Sequence, residues 1–232
     1  MNAFDKIKFR RKDHTYWLGE QPLTSVTQTI SRIAPKFDAD GNAARMAARD
    51  GTTKEAILEL WQRKSRAALD KGTAVHAFIE QIIKGKRPKC AIPEAQAWLE
   101  WWRGAKRYLD PVGVEMIVGD SELGVAGTMD FLAHSSKNGK TTIIDWKTGS
   151  KFETENRWGR FLLPPFSDLP DNELHRYSLQ VSLYRLILER AGFANMGESY
   201  IVHLGPEKAH AYKAHDYRKR LEAWLCNAEV TP

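Results

Sequence analysis

Cysteine is nearly missing from this chain. Cys90 and Cys226 stand far apart and in no spacing pattern, which excludes a disulfide framework or a cysteine zinc site and fits a reducing compartment. No run approaches the roughly 18 apolar residues of a membrane span. The opening residues, MNAFDKIKFRRKD, carry charges with no apolar stretch behind them, so they do not read as a secretory signal and the expected setting is cytoplasmic. The chain has no GxxxxGK[ST], hence no nucleotide-driven motor, and no repeat, low-complexity tract or clear linker.

What is present is an ordinary globular composition, 42% hydrophobic and 28% charged over 232 residues, long enough for one large core. The formal net charge of +6 points toward a polyanionic partner. Basic residues cluster at Lys6, Lys8, Arg10, Arg11 and Lys12, at Lys84, Lys86, Arg87 and Lys89, at Arg103, Lys106 and Arg107, and at Arg218, Lys219 and Arg220. Any one of these clusters is equally compatible with a solvated face.

Along the chain, residues 4 to 18 read as a hairpin turning at Lys12-Asp13. Ser25 is an N-cap for a helix with Val26, Ile30 and Ile33 on one stripe, stopped by Pro35. A short helix from Ala43 to Arg49 ends at Gly51, and Thr52 with Glu55 caps the next, which carries Ile57, Leu58 and Trp61. Gly72 is expected to break that helix and open another from Thr73 to Lys84, with Val75, Phe78, Ile79, Ile82 and Ile83 buried. His76 and Glu80, at i and i+4, share a face of it. Pro93 starts a helix whose Trp98, Trp101 and Trp102 read as core. Asp110-Pro111 ends it, and a strand follows with Glu115 in its middle, of undecided facing.

The stretch GVAGTMDFLAHSSKNGKTTIIDWKTG, Gly124 to Gly149, reads as two strands, Val125 to Ala133 and Thr141 to Trp146, around a turn at Lys137 to Lys140. Asp130 interrupts the first strand and Asp145 ends the second. Lys147 lies two residues beyond Asp145 and therefore on the same side. Apolar strands do not take in carboxylates without a cation or a basic partner. After this hairpin, residues 150 to 172 form a long aromatic and basic loop containing Arg157, Trp158 and Arg160, which reads either as a nucleic-acid contact or as a packed flap. An amphipathic helix follows, with Leu179, Leu183, Leu186 and Ile187 apolar and with Gln180 and Tyr184 one turn apart. A core strand, an edge strand and a terminal helix complete the chain.

The ordered segments GTAVHAFIE (Gly72 to Glu80), GTMD (Gly127 to Asp130), IIDWKTG (Ile143 to Gly149) and LQVSLY (Leu179 to Tyr184) resemble the PD-(D/E)xK nuclease superfamily, and within it the RecB-like exonuclease branch. HTYW and SVTQTI resemble its phage-encoded and mitochondrial-genome-maintenance-type members. The resemblance implies an α/β (α+β) fold: a restriction-endonuclease-like αβββαβ core, with a central mixed sheet flanked by helices and an N-terminal helical addition. It implies one nuclease domain over residues 1–232, made of a hairpin and helical addition (1–71), a nuclease core (72–204) and a C-terminal strand and helix (205–232).

By the same resemblance, His76, Asp130, Asp145 and the Trp146 carbonyl would ligate Mg²⁺ or Mn²⁺. Lys147 would orient or help deprotonate the attacking water and stabilise the transition state. Gln180 and Tyr184 would position Lys147 or the phosphate, and Glu80 would support the metal or a second ion. Arg157, Trp158, Arg160 and Arg176 are expected to contact DNA. The implied activity is an exonuclease that leaves a 5′-phosphate and a 3′-hydroxyl, in recombination, repair or phage DNA processing, in the bacterial host cytosol if phage-encoded. The alternatives are a structure-specific or nicking endonuclease and an inactive DNA-binding accessory protein. An iron-sulfur cluster of four cysteines, found in some relatives, is not expected from two. DNA ends are the expected partner, without a membrane; a recombinase or single-strand-binding protein and an oligomer are compatible with the family.

Overall fold

A computed structural model describes residues 4–227. Its centre is an eight-stranded mixed sheet. The N-terminal strands β1 (Ile7–Arg10) and β2 (Thr15–Leu18) form the expected hairpin, and β3 (Gln21–Ser25) adds a strand the sequence did not announce. Ser25 then caps α1 (Val26–Ser31) in a reciprocal capping box with Gln28. Helix α2 (Ala39–Asp50) is longer than expected and ends at Gly51 in the left-handed conformation.

The largest departure is α3, one helix of 30 residues from Lys54 to Ile83, capped by Thr53 rather than Thr52. Gly72 does not break it. A Cβ there would stand 3.3 Å from the Thr148 hydroxyl, so this glycine lets the helix pass close to a strand end, at a helix-propensity cost of about 1 kcal/mol. The continuous helix therefore crosses the expected boundary between residues 71 and 72.

Helix α4 (Pro93–Ala105) starts on its proline as expected, and Trp98 and Trp102 are buried in the core. Strand β4 (Leu109–Asp120) already includes Asp110 and Pro111, absorbed by a register shift between Pro111 and Gly113. Strands β5 (Val125–Ser135) and β6 (Lys140–Thr148) are the long hairpin. Helix α5 (Glu173–Arg190), β7 (Tyr200–Leu204), edge strand β8 (Ala209–Lys213) and α6 (Arg218–Asn227) complete the order. The run α3–β4–β5–β6–α5–β7, with α4 inserted after α3, is the expected restriction-endonuclease-like core.

Side chains of β5 and β6 divide between two apolar layers. Met129, Leu132 and Ile143 pack with α1 and α5, whereas Phe131, Ala133, Ile144 and Trp146 pack with α3 and α4. The sheet is thus covered on both faces.

Strand β5 has one edge shared by two neighbours. Strand β6 pairs with it from Ser135 back to Phe131, opposite Ile144, and there the ladder stops. Strand β3 takes the same edge only at Val125 and Ala126, running parallel. Between these pairings β5 and β6 splay, at the point where Asp130 and Asp145 would otherwise stand opposite each other. Like charges directly opposed destabilise a ladder, and the splay opens the sheet beside both acids.

Candidate active site

The splay leaves backbone groups to be satisfied by side chains. Asp130 Oδ2 accepts the Trp146 backbone N–H at 2.7 Å, and Tyr184 donates its hydroxyl to the Thr128 carbonyl at 2.8 Å. The Tyr184 ring also fills the space where a Gly127 side chain would be, 2.8 Å from an ideal Cβ. Tyr184 is buried and touches neither Lys147 nor open cleft; it fixes the strand that carries Asp130. Burial holds its phenol well above the usual pKa.

Asp145, only 1% exposed, is gripped from two sides. Gln180 on α5 donates to Oδ1 at 3.3 Å, and the Lys147 ammonium lies 2.8 Å from Oδ2. That contact is a charge-assisted pair that occupies Oδ2. Burial pushes Asp145 up to about 6, against the pull of Lys147, and it raises Asp130 as well. Burial works against the charged form of Lys147, but Asp145 and Asp130 outweigh it and raise its pKa, keeping an ammonium.

His76 reaches the same place from α3, on the other side of the sheet from α5. Its Nε2 lies 3.1 Å from the Trp146 carbonyl oxygen, and its Nδ1 lies 3.3 Å from Glu115 Oε1 and 3.6 Å from Asp130 Oδ1. Burial lowers the imidazole pKa, yet Asp130 and Glu115 dominate and bring it to about 9. Ligand atoms of His76, Glu115 and Asp130 all fall within 4.8 Å of one another.

Glu115 is the member the sequence could not place. It holds φ +49° inside a strand, a left-handed conformation that costs a non-glycine residue of order 1–3 kcal/mol and collects at functional sites. The flip turns its carboxylate toward His76. Strand alternation gives no signal for this, although an acid in the middle of an apolar strand is itself a hint.

His76, Glu115, Trp146 and Lys147 line a cleft of about 520 Å³, whose walls include Arg11 from the first hairpin, Thr73 and Glu80 from α3, and Tyr177 from α5; Asp130 and Asp145 lie behind this lining. Glu80 stands on the wall rather than in the close cluster and pairs with Lys84 at 2.5 Å. Among the DNA-contact candidates, Trp158 is 74% exposed and Arg157 reaches only Glu155, at 3.8 Å. Arg160 is held through its backbone to Asn156 and Asp171, which leaves its side chain exposed. Arg176 is tied to the buried Asp171, which orders the start of α5. The rest of the loop is partly a packed flap: Leu162, Phe166 and Leu169 are buried.

The donor set of hard carboxylate oxygens, one imidazole and a carbonyl fits a divalent cation. Comparison with known proteins agrees in class. Residues 85–228 match the family model of the PD-(D/E)XK nuclease superfamily, and the chain belongs to that superfamily, whose members are metal-dependent nucleases. The matched segment contains Glu115, Asp130, Asp145, Lys147 and Gln180; His76 lies before it. A solved structure titled "Crystal structure of SSO0001" aligns over 90% of this chain and 76% of its own, with a TM-score of 0.36 and 12% identity. A search of the curated proteins gave no match. Among the described residues, no helix is long and apolar enough to cross a membrane.

Proposed function

We propose that the protein is a divalent-metal-dependent DNA exonuclease, working as one nuclease domain in the cytoplasm and leaving a 5′-phosphate and a 3′-hydroxyl in recombination, repair or phage DNA processing. The observation that carries this reading is the cluster of His76, Glu115 and Asp130 ligand atoms where β5 and β6 part, with the Asp145–Lys147 ion pair next along β6.

His76, Asp130, Asp145 and the Trp146 carbonyl would hold Mg²⁺ or Mn²⁺, with Glu115 beside them. The bound cation would lower the pKa of its water and neutralise charge on the scissile phosphate. The chain's own groups do the rest. Lys147 Nζ, an ammonium, donates toward the phosphate oxygen on which charge develops and can orient the attacking water. Gln180 keeps the Asp145 carboxylate in one orientation through its bond to Oδ1. Arg11 lines the cleft and has no ion pair among the described residues, which leaves its guanidinium to a backbone phosphate. Arg157, Trp158 and Arg160, exposed on the loop after β6, would add further contacts to DNA.

The test compares linear single-stranded, linear double-stranded and covalently closed circular DNA with Mg²⁺ or Mn²⁺. Linear DNA shortens from its ends, circles survive and a chelator stops the reaction. Lys147→Ala abolishes cleavage and leaves DNA affinity within about twofold. Cutting of closed circles would replace the exonuclease by an endonuclease of the same superfamily. A pure protein that binds DNA but cleaves none of the three would make it a silent accessory protein.

A further inference from the structure

The ammonium of Lys147 has a second neighbour that no motif of the family assigns. Its Nζ lies 4.6 Å from the centroid of the Tyr177 ring. Tyr177 and Gln180 are three residues apart on α5, so one helix face presents both side chains to the sheet. Gln180 holds Asp145 and Tyr177 holds Lys147, the two halves of one ion pair.

The ring is itself braced. Phe152, at the start of the loop after β6, stacks on Tyr177 with centroids 6.1 Å apart and planes at 26°. Phe152 also stacks on Tyr212 of β8 at 4.5 Å and 21°. His203, the register partner of Lys147 on β7, packs against Phe152 at 5.5 Å. The loop is stitched to the start of α5 by the Glu153 N–H donating to Glu173 Oε2 at 2.6 Å and the Leu174 N–H donating to the Glu153 carbonyl at 3.1 Å. Three segments distant in sequence thus fix the ring beneath the lysine.

We propose that Tyr177 is a positioning residue: its ring face holds the Lys147 ammonium against the cleft through a cation–π contact, with Phe152 and Tyr212 as its backing. The inference deepens the nuclease reading and rests on it. A ring suits this place because a further carboxylate beside the lysine would compete for the divalent cation, whereas the ring's quadrupole attracts the ammonium and leaves the cation alone. The phenol hydroxyl is dispensable to this role and the aromatic face is not.

The test pairs a spectroscopic reading with kinetics on the full chain. Tyr177→Phe, Tyr177→Leu and a graded series of ring-fluorinated phenylalanines at 177 are compared with wild type. The fluorinated rings keep shape and packing while weakening the quadrupole, so the series remains informative where Leu does not fold. In the NMR spectrum, the Lys147 ε-protons are shifted upfield by the ring in wild type and in Tyr177→Phe, and lose that shift in Tyr177→Leu. On a short linear oligonucleotide with Mn²⁺, Tyr177→Phe stays within twofold of wild type. Tyr177→Leu loses roughly tenfold in kcat at unchanged KM, and kcat declines stepwise with fluorination.

Ordinary ε-proton shifts in wild type, a kcat unmoved by fluorination, or a loss confined to KM would each overturn the proposal, the last in favour of a base-stacking surface. An inert wild type that keeps the upfield shift removes the nuclease reading but leaves the contact standing. The two failures are therefore separable.

Discussion

Chelated of metal, the site should make the protein less stable as pH rises through the neutral range. His76 carries the effect. Its pKa moves from an ordinary 6.5 to about 9 in the fold, because Asp130 and Glu115 outweigh burial. A raised basic group contributes stability that is complete below 6.5 and is lost as pH passes 9. At 1.36 kcal/mol per pH unit the shift corresponds to about 3 kcal/mol; the side chain is 25% exposed, so solvent screening leaves ~2–3 kcal/mol. For a chain of this size that is a fall of roughly 4–12 °C in melting temperature.

Asp145 acts in the same direction at lower pH. Burial lifts it from 3.8 to about 6, so its ionisation penalises the fold increasingly between those values. Thermal melts in chelator between pH 6.5 and 9, for wild type and His76→Gln, read the histidine contribution directly. Wild type falls and the variant is nearly flat. With saturating Mn²⁺ the slope reverses, since ligation requires the neutral imidazole and the ionised carboxylates. A wild-type midpoint that is flat or rises with pH in chelator, or that falls equally in His76→Gln, would refute the electrostatic account of the cluster.

Other residues give independent checks. Glu115→Gln removes the charge facing His76 and is expected to weaken Mn²⁺ binding about tenfold by calorimetry; unchanged affinity would show that this carboxylate serves His76 only in the absence of metal. Gly127→Ala would drive a methyl into the buried Tyr184 ring at 2.8 Å and cost about 1–3 kcal/mol in a denaturant titration, whereas a neutral result would mean that the ring can retreat without losing Thr128.

How much of this was legible in the chain follows from how local each cause is. Ser25 at an N-cap, Pro93 at a helix start and Gly51 at a helix end are decided by backbone hydrogen bonds within a few residues, and they read correctly. Asp145 and Lys147 also read correctly as neighbours, because residues two apart on a strand share a side.

Gly72 misled because its reason is remote: the close approach of α3 to Thr148 leaves no trace in the helix's own sequence. Glu115 was unreadable for a related reason. A register shift at Pro111 and a left-handed flip at Glu115 itself each break the alternation from which its facing would be inferred. Phe152 and Tyr177 look like ordinary loop and helix aromatics until the fold sets one upon the other beneath Lys147. Tyr184 was legible as a site residue only through resemblance, and its hydroxyl turns out to serve the Thr128 carbonyl in the gap between strands.

The account stands on a cation held where β5 and β6 part. Anomalous scattering from crystals soaked in Mn²⁺ with a short oligonucleotide tests this most directly. The expected peak lies among His76, Asp130, Asp145 and the Trp146 carbonyl, with a phosphate between it and Lys147. A crystal with ordered DNA and no peak there, or with its manganese elsewhere on the molecule, would contradict it.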